Sequence, residues 1–351
     1  LITVAGNPVL SVPNGKRIDA AMDNLDLVVA LDIYINETTR HADYILPSTT
    51  QLEHSNYDFL FAAFAQRNFA RYSPRVFEPA PDSKHQYELF LELLAQMNGM
   101  QVEDLEELML EGMIGTVLQA PALDGLDADT VREATAGHRG SERLLDILLR
   151  VGPYGDRFDP TSDGLNLDRV QDSPHGIDLG PLQAGVLPDM LRTEGGKLRL
   201  LHPLLEADIH RLEQSLSEEI PELVLIGRRH IRDMNSWLHN LTNYARGKNR
   251  CTLMMHPDDA GSRGIEDGDE VIIASTVGEL VVPVEFNEGL MHGVVSLPHG
   301  FGHRYTGTRQ AVAQAQLPGV SANDLVDDQA LDIPSGTSVV NGVPVQVRPS
   351  A

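Results

Sequence analysis

The sequence predicts an α/β protein: a parallel sheet near the start, a helical connector, and a small β-barrel at the C-terminal end. Three observations carry this. Short apolar runs alternate with helix-like stretches over the first fifty residues, the spacing of strand–helix–strand units. Residues 101–220 mix acidic helical patterns with Gly/Pro/Asp-rich loops. From 221 onward, short strands separated by turn residues follow one another. The expected domains are therefore 1–100, 101–220 and 221–351.

Element by element, Leu1–Ala5 is an apolar run stopped by Gly6-Asn7-Pro8, a buried strand ending in a loop. Lys16–Asn24 reads as a helix, and Leu27–Leu31 as a second buried strand ending at Asp32. Asn36 caps a short helix through Ala42. Tyr44–Leu46 is a third strand, closed by Pro47. Sheets of this kind bind ligands at the carboxyl ends of their strands, where Gly6, Asn7, Ser11 and Asp32 fall. His85–Met97 is a helix with Tyr87, Phe90, Leu91 and Leu94 on one face. Glu103–Glu111 and Ser141–Arg150 are the connector's helical stretches, the latter with Leu144, Leu145 and Leu148 at helical spacing. In the last third, Leu223–Ile226, Glu270–Ser275, Glu279–Phe286, Val294–Leu297 and Val343–Val347 read as strands. Pro257 starts and Gly264 ends a short helix between them.

The chain of 351 residues carries 27 Lys+Arg against 51 Asp+Glu, a net charge of −24. Such a far field repels nucleic acid and anionic membranes, and no apolar run is long enough to span a bilayer. The 42% hydrophobic content argues for a folded chain. The single cysteine, Cys251, makes neither an intrachain disulfide nor a cysteine-held cluster, and beside Leu253-Met254-Met255 it reads as a buried thiol.

Positive charge is local. Residues 228–250 hold Arg228, Arg229, Arg232, Arg246, Lys248 and Arg250 against one acid, Asp233. Residues 295–323 hold Arg304, Arg309, His299 and His303 and no acid. Two acid-depleted stretches in an acidic chain suit an anion site, because arginine clasps phosphate bidentately and Gly227 lets backbone approach a ligand. The same arginines could instead neutralise the connector, where residues 101–150 hold eleven acids and four arginines. His299 and His303 stand four apart, but Gly300 and Gly302 argue against a helical metal pair, and no phosphate loop or metalloprotease motif is present.

Taken together, the ordered segments resemble the C-terminal half of a molybdopterin oxidoreductase of the dimethyl-sulfoxide-reductase superfamily. The match lies in Gly6-Asn7-Pro8, Val28–Asp32 and Glu37–Pro47; in Ile226–Arg229 through Asn235–Asn240; and in His256–Ala260, Arg263–Val271, Gly293–Gly300, Asn323-Asp324-Leu325 and Asp332–Gly336. Where family members often read EGTFxN, this chain has Glu53-His54-Ser55-Asn56-Tyr57-Asp58. The resemblance implies a partial Rossmann-like parallel sheet plus helical connector, followed by a double-psi β-barrel. It implies that Gly6, Asn7, Pro8, Ser11 and Asp32 line one guanine-nucleotide site. Asp32 would accept from the guanine edge. Arg228, Asn235, Ser236, His239, His299 and Asn323 would hold pyrophosphate or pterin in the barrel.

The implied function is the cofactor-binding C-terminal part of a molybdenum or tungsten enzyme with two molybdopterin guanine dinucleotides, catalysing two-electron redox of a small substrate such as formate or an oxyanion. The chain begins at Leu1 without an initiator Met. The expected partners are an N-terminal half of the same polypeptide, with a 4Fe-4S cluster and the metal ligand there, and an electron-transfer partner. No catalytic residue and no metal ligand is assigned within the chain, which alone is expected to be inactive. The expected location is the cytoplasm. The alternative reading is a standalone accessory protein that uses the same folds without redox function.

Overall fold

The computed structural model describes residues 1–350. The chain divides into two compact units, residues 1–45 with 197–351, and residues 46–196.

In the first unit, β1 (Ile2–Val4) and β2 (Val29–Leu31) pair in parallel, Ile2 opposite Val29 and Val4 opposite Leu31, and β3 (Tyr44–Leu46) flanks β2. Between β1 and β2 run α1 (Pro8–Ser11) and α2 (Gly15–Met22). Pro8 fits the first turn of α1, where its missing N–H costs nothing. Asn36 turns the chain after β2: its Oδ1 accepts from the Thr38 and Thr39 N–H groups, opening a 3₁₀ turn over Thr39–His41.

Seven strands form a second, curled sheet: β4 (Val224–Arg228), β5 (Leu253–Met255), β6 (Glu270–Ala274), β7 (Glu279–Phe286), β8 (Val294–Pro298), β9 (Val343–Pro344) and β10 (Gln346–Pro349). Their order is β9-β4-β8-β5-β7-β6-β10. Pairing is mixed: β8 runs parallel to β4 and β7 parallel to β5, while β6 pairs antiparallel with β7 and β10. The single strand expected over Val343–Val347 is two. Val345 alone separates β9 from β10, which occupy opposite edges. One residue spans only about 3.5 Å, so the edges must come together and the sheet must curl. Alternate residues of each strand then point to one interior: Leu225, Leu253, Met255, Val271, Ile273, Val282, Val284, Val295, Leu297 and Val347 form its core. Gly278 supplies the expected turn between β6 and β7. The Pro203–Ser215 helix has no buried residue.

The second unit is mainly helical. Helices Val102–Val117, Ala128–Ala134 and Gly140–Val151 pack Leu110, Ile114, Val117, Val131 and Ile147 together with Phe158. The helix expected at His85–Met97 spans Gln86–Asn98 with His85 as its N-cap, but its inward face is not the expected one. Leu89, Leu91 and Ala95 are buried, whereas Phe90 and Leu94 are 43% and 42% exposed. In Gly140–Val151 the buried face carries charge as well as Ile147 and Leu149: Arg150 Nε lies 2.9 Å from Asp146 Oδ2, and its Nη1 lies 2.6 Å from Asp156 Oδ2. Each half of this trio offsets the other's desolvation.

Candidate cofactor-binding site

Four of the residues singled out in the sequence meet in one cavity of about 310 Å³: Ser11, Arg228, His299 and Asn323. Gly227, Arg229 and Asn341 share its wall. The N-terminal part of the chain and the seven-stranded sheet are stitched here by backbone-directed bonds. Asn323 Nδ2 donates to the Leu10 carbonyl at 2.8 Å, and Asn14 N donates to the Asn323 carbonyl at 3.0 Å. Gly227 N donates to Asn341 Oδ1, also at 2.8 Å. His299 follows β8, where its N–H donates to the Arg228 carbonyl.

Arg228 spends most of its donors on the protein. Its guanidinium donates to the carbonyls of Ser296, Arg250 and Thr252 and to Thr252 Oγ1. It thus braces β4 against β8 and the approach to β5, and burial pulls its pKa below the ordinary arginine value. Arg229, by contrast, is exposed and donates to Asn235 Oδ1. Asn235 and His299 line an adjoining cavity of about 240 Å³ with Arg229, His230, Asp233 and Met234. The wall is built by a tight backbone approach. Met234 and Asn235 have φ of 44° and 58°, and a Cβ on Gly300 would stand 2.0 Å from the Asn235 carbonyl oxygen. Only glycine fits at 300. Ser236, next in sequence, is buried beneath this turn.

The remaining residues lie at the ends of β1 and β2 and are not in these cavity walls. Gly6 and Pro8 flank Asn7, which is 7% exposed. Asn7 Nδ2 donates to Glu37 Oε2 at 2.8 Å, and its Oδ1 accepts from Thr38 Oγ1 at 2.7 Å. Asp32 Oδ1 accepts from the N–H groups of Ile33 and Tyr34, and its Oδ2 accepts from Asn36 Nδ2. Burial raises the Asp32 pKa, with those backbone bonds opposing the rise. A carboxylate oxygen has two acceptor directions, so Oδ2 keeps room for one more donor.

His239 is fully buried, with both ring nitrogens facing protein. Nδ1 lies 2.8 Å from His303 Nε2, and Nε2 lies 3.1 Å from Asp233 Oδ1. His303 Nδ1 in turn lies 2.8 Å from Glu37 Oε1. Glu37, His303 and Asp233 are partners that the linear pattern does not reveal, since they come from three separate segments. The only local signal is Glu37 itself, the one acid in the turn of residues 36–42.

The larger cavity wall contains two arginines, one histidine, two asparagines and a serine, and no carboxylate. That is the chemistry of a site for a polar, anionic group, and the volume falls within the range of about 300–1,000 Å³ typical of small-ligand sites. The residues present therefore fit a nucleotide pyrophosphate. A separate triad, His256, Asp258 and His292, has metal-compatible atoms, but His256 Nδ1 already accepts from Asp258 N as a helix cap.

Two family models match. Residues 1–96 match the molybdopterin oxidoreductase family, and residues 223–344 match the molydopterin dinucleotide binding domain. The chain thus carries a molybdopterin oxidoreductase stretch followed by a molydopterin dinucleotide binding domain. It is similar to trimethylamine-N-oxide reductase of Haemophilus influenzae, 22% identical over 309 residues, covering 84% of this chain and 35% of that protein. It is likewise similar to dimethyl sulfoxide/trimethylamine N-oxide reductase of Rhodobacter capsulatus, 22% identical over 311 residues, covering 85% of this chain and 35% of that protein. Among solved structures, acetylene hydratase from Pelobacter acetylenicus superposes with a TM-score of 0.64 at 18% identity, over 99% of this chain and 44% of that one. The chain spans about a third of the length of the curated relatives it matches. No helix among the described residues is long and apolar enough to cross a membrane.

Proposed function

We propose that this chain binds molybdopterin guanine dinucleotide and contributes that binding to a molybdenum or tungsten oxidoreductase. The observation that carries the reading is the meeting of Ser11, Arg229, His299, Asn323 and Asn341 around one carboxylate-free cavity. In this reading the three-stranded sheet is Rossmann-like and the curled seven-stranded sheet is a double-psi β-barrel. The meeting of its two edges at Val345 supports the latter.

Each residue has a physical role. Arg229 is free to reach a pyrophosphate, because only one of its donors is spent on Asn235. Arg228 holds the strands that frame the cavity. Asn323 and Asn341 fix the loops that form its walls. Asp32 offers one remaining acceptor direction to a guanine edge, and Asn7 fixes the loop after β1. When bound, the cofactor supplies metal-centred two-electron chemistry, and the protein's share is to bind and orient it. Activity toward a small substrate belongs, in this proposal, to a longer polypeptide that brings the metal ligand and an electron-transfer partner. The relatives' reductase names support a redox role.

The test is chemical. Acid hydrolysis of the purified protein with iodine as oxidant should release a guanine nucleotide and an oxidised pterin in equal amounts. Release of a different nucleotide, or of pterin without nucleotide, would overturn the assignment of the cofactor.

A further inference from the structure

Glu37, His303, His239 and Asp233 form an unbroken line of ionisable side chains, 0%, 1%, 0% and 3% exposed. Their proton count follows from donor rules. Glu37 is an acceptor, so His303 carries a proton on Nδ1 and offers the lone pair of Nε2. The 2.8 Å contact between the rings then requires the proton on His239 Nδ1. With both rings neutral, His239 Nε2 is left as a bare lone pair, 3.1 Å from the Asp233 carboxylate. Neither His239 Nε2 nor Asp233 Oδ2 has a hydrogen-bond partner. Three contacts hold two protons, and the missing one is at the end that faces the cavity beside Asn235 and His299.

Charge leads to the same place. Arg250 Nη2 lies 2.8 Å from Asp233 Oδ1. Two carboxylates and one guanidinium leave the buried group at a net charge of −1 when both rings are neutral. One more proton brings it to zero.

We propose that the His239–His303 pair is an internal proton store serving the cavity beside Asp233. A proton entering from the cavity is taken by Asp233 and passed to His239 Nε2. The O–H bond on Asp233 breaks, an N–H bond forms, and the pair becomes one shared imidazolium hydrogen-bonded to a carboxylate at each end. Return of the proton reverses the same two bonds. Glu37 and Asp233 remain carboxylates in the loaded state. This agrees with their pKa values, which lie below the ordinary range although burial alone would raise them: His303 and Asn7 outweigh burial at Glu37, and His239 together with Arg250 does so at Asp233. Other charged or titratable groups facing the line are Arg250, His230, Arg228 and Cys251 at Asp233, Arg229 and His299 across the cavity, and Tyr305 near Glu37. Phe301, with its ring 4.5 Å from that of His239, seals the line's flank. The inference does not depend on which ligand the cavity takes.

The experiment is a pH titration of the full chain, selectively ¹⁵N-labelled at histidine, following the ring nitrogens of His239 and His303. The store predicts that both rings move together with one midpoint. It also predicts that Glu37→Gln and Asp233→Asn each lower the joint midpoint by about one pH unit, a tenfold loss of proton affinity, because each removes one of the two balancing charges. Independent midpoints for the two rings in the wild-type chain would overturn it, even if one variant fails to fold. So would an unchanged midpoint in folded variants.

Discussion

His303 Nδ1 lies 2.8 Å from Glu37 Oε1, joining two fully buried residues that are 266 positions apart in sequence. This contact fastens the turn after β2 to the loop after β8. Through Asn7 it also holds the loop after β1, so one acid organises three of the segments around the proposed site.

The same burial sets a pH dependence. His239 and His299 have pKa values lowered by burial, and so has His85 in the second unit. As pH falls below the ordinary histidine value of about 6.5, the unfolded chain takes up protons that the native chain refuses. Stability is therefore full above that value and is lost as pH falls toward the native pKa values. Urea denaturation across this interval should show a midpoint that declines with acidification. A midpoint constant from neutral pH down to the carboxylate range would contradict the burial of these rings.

Gly300→Ala tests the close approach to Asn235. The added Cβ would meet backbone at 2.0 Å, and φ at Gly300 is +91°. Loss of at least about 2 kcal/mol of stability is expected, in the range of strained backbone substitutions. Gly336→Ala, also at positive φ (+68°) but with nothing within 4 Å of the added carbon, should cost only about 1 kcal/mol. Equal effects in thermal denaturation would mean that the 300 turn is not packed as described.

In the second unit, Arg150→Met removes the cation between Asp146 and Asp156, whose side chains are 0% and 2% exposed. Two buried carboxylates left without it should cost about 3–5 kcal/mol. Chemical denaturation measures this directly, and a loss below 1 kcal/mol would show that water reaches the trio.

Cys251 is 2% exposed, and burial pushes its thiol up to about 11. Thiolate is the reactive form, so an aromatic disulfide reagent should leave the native chain unlabelled and react with one thiol per chain after denaturation. Prompt labelling of native protein would place Cys251 at the surface.

Much of this was legible in the sequence. The apolar runs stopped by Gly6-Asn7-Pro8 and Asp32 predict β1 and β2 and the loops at their ends, and the acid-poor stretches around Arg228 and His299 predict where a polar cavity opens. The limits are physical. Val343–Val347 reads as one strand because its pattern is continuous, and only the curl of the sheet parts it at Val345. Phe90 and Leu94 sit at helical spacing with Leu91, but a helix of the second unit meets its neighbours along Leu89, Leu91 and Ala95 instead. Arg228 reads as a phosphate ligand by residue type, yet three carbonyls claim its donors. The Glu37–His303–His239–Asp233 line is invisible in one dimension because no two of its members are closer than six positions.

In the proposed function, the cavity of Ser11, Arg229, His299 and Asn323 holds the dinucleotide. The most direct measurement is the pterin and nucleotide content of the purified, gene-encoded polypeptide carrying Arg229→Ala with His299→Ala, chosen because neither side chain braces the sheet. Cofactor content should fall at least about tenfold, the loss expected when charge-assisted bonds worth about 1.5–3 kcal/mol each are removed, while circular dichroism and melting temperature stay at wild-type values. Wild-type cofactor content in the folded double variant would contradict it.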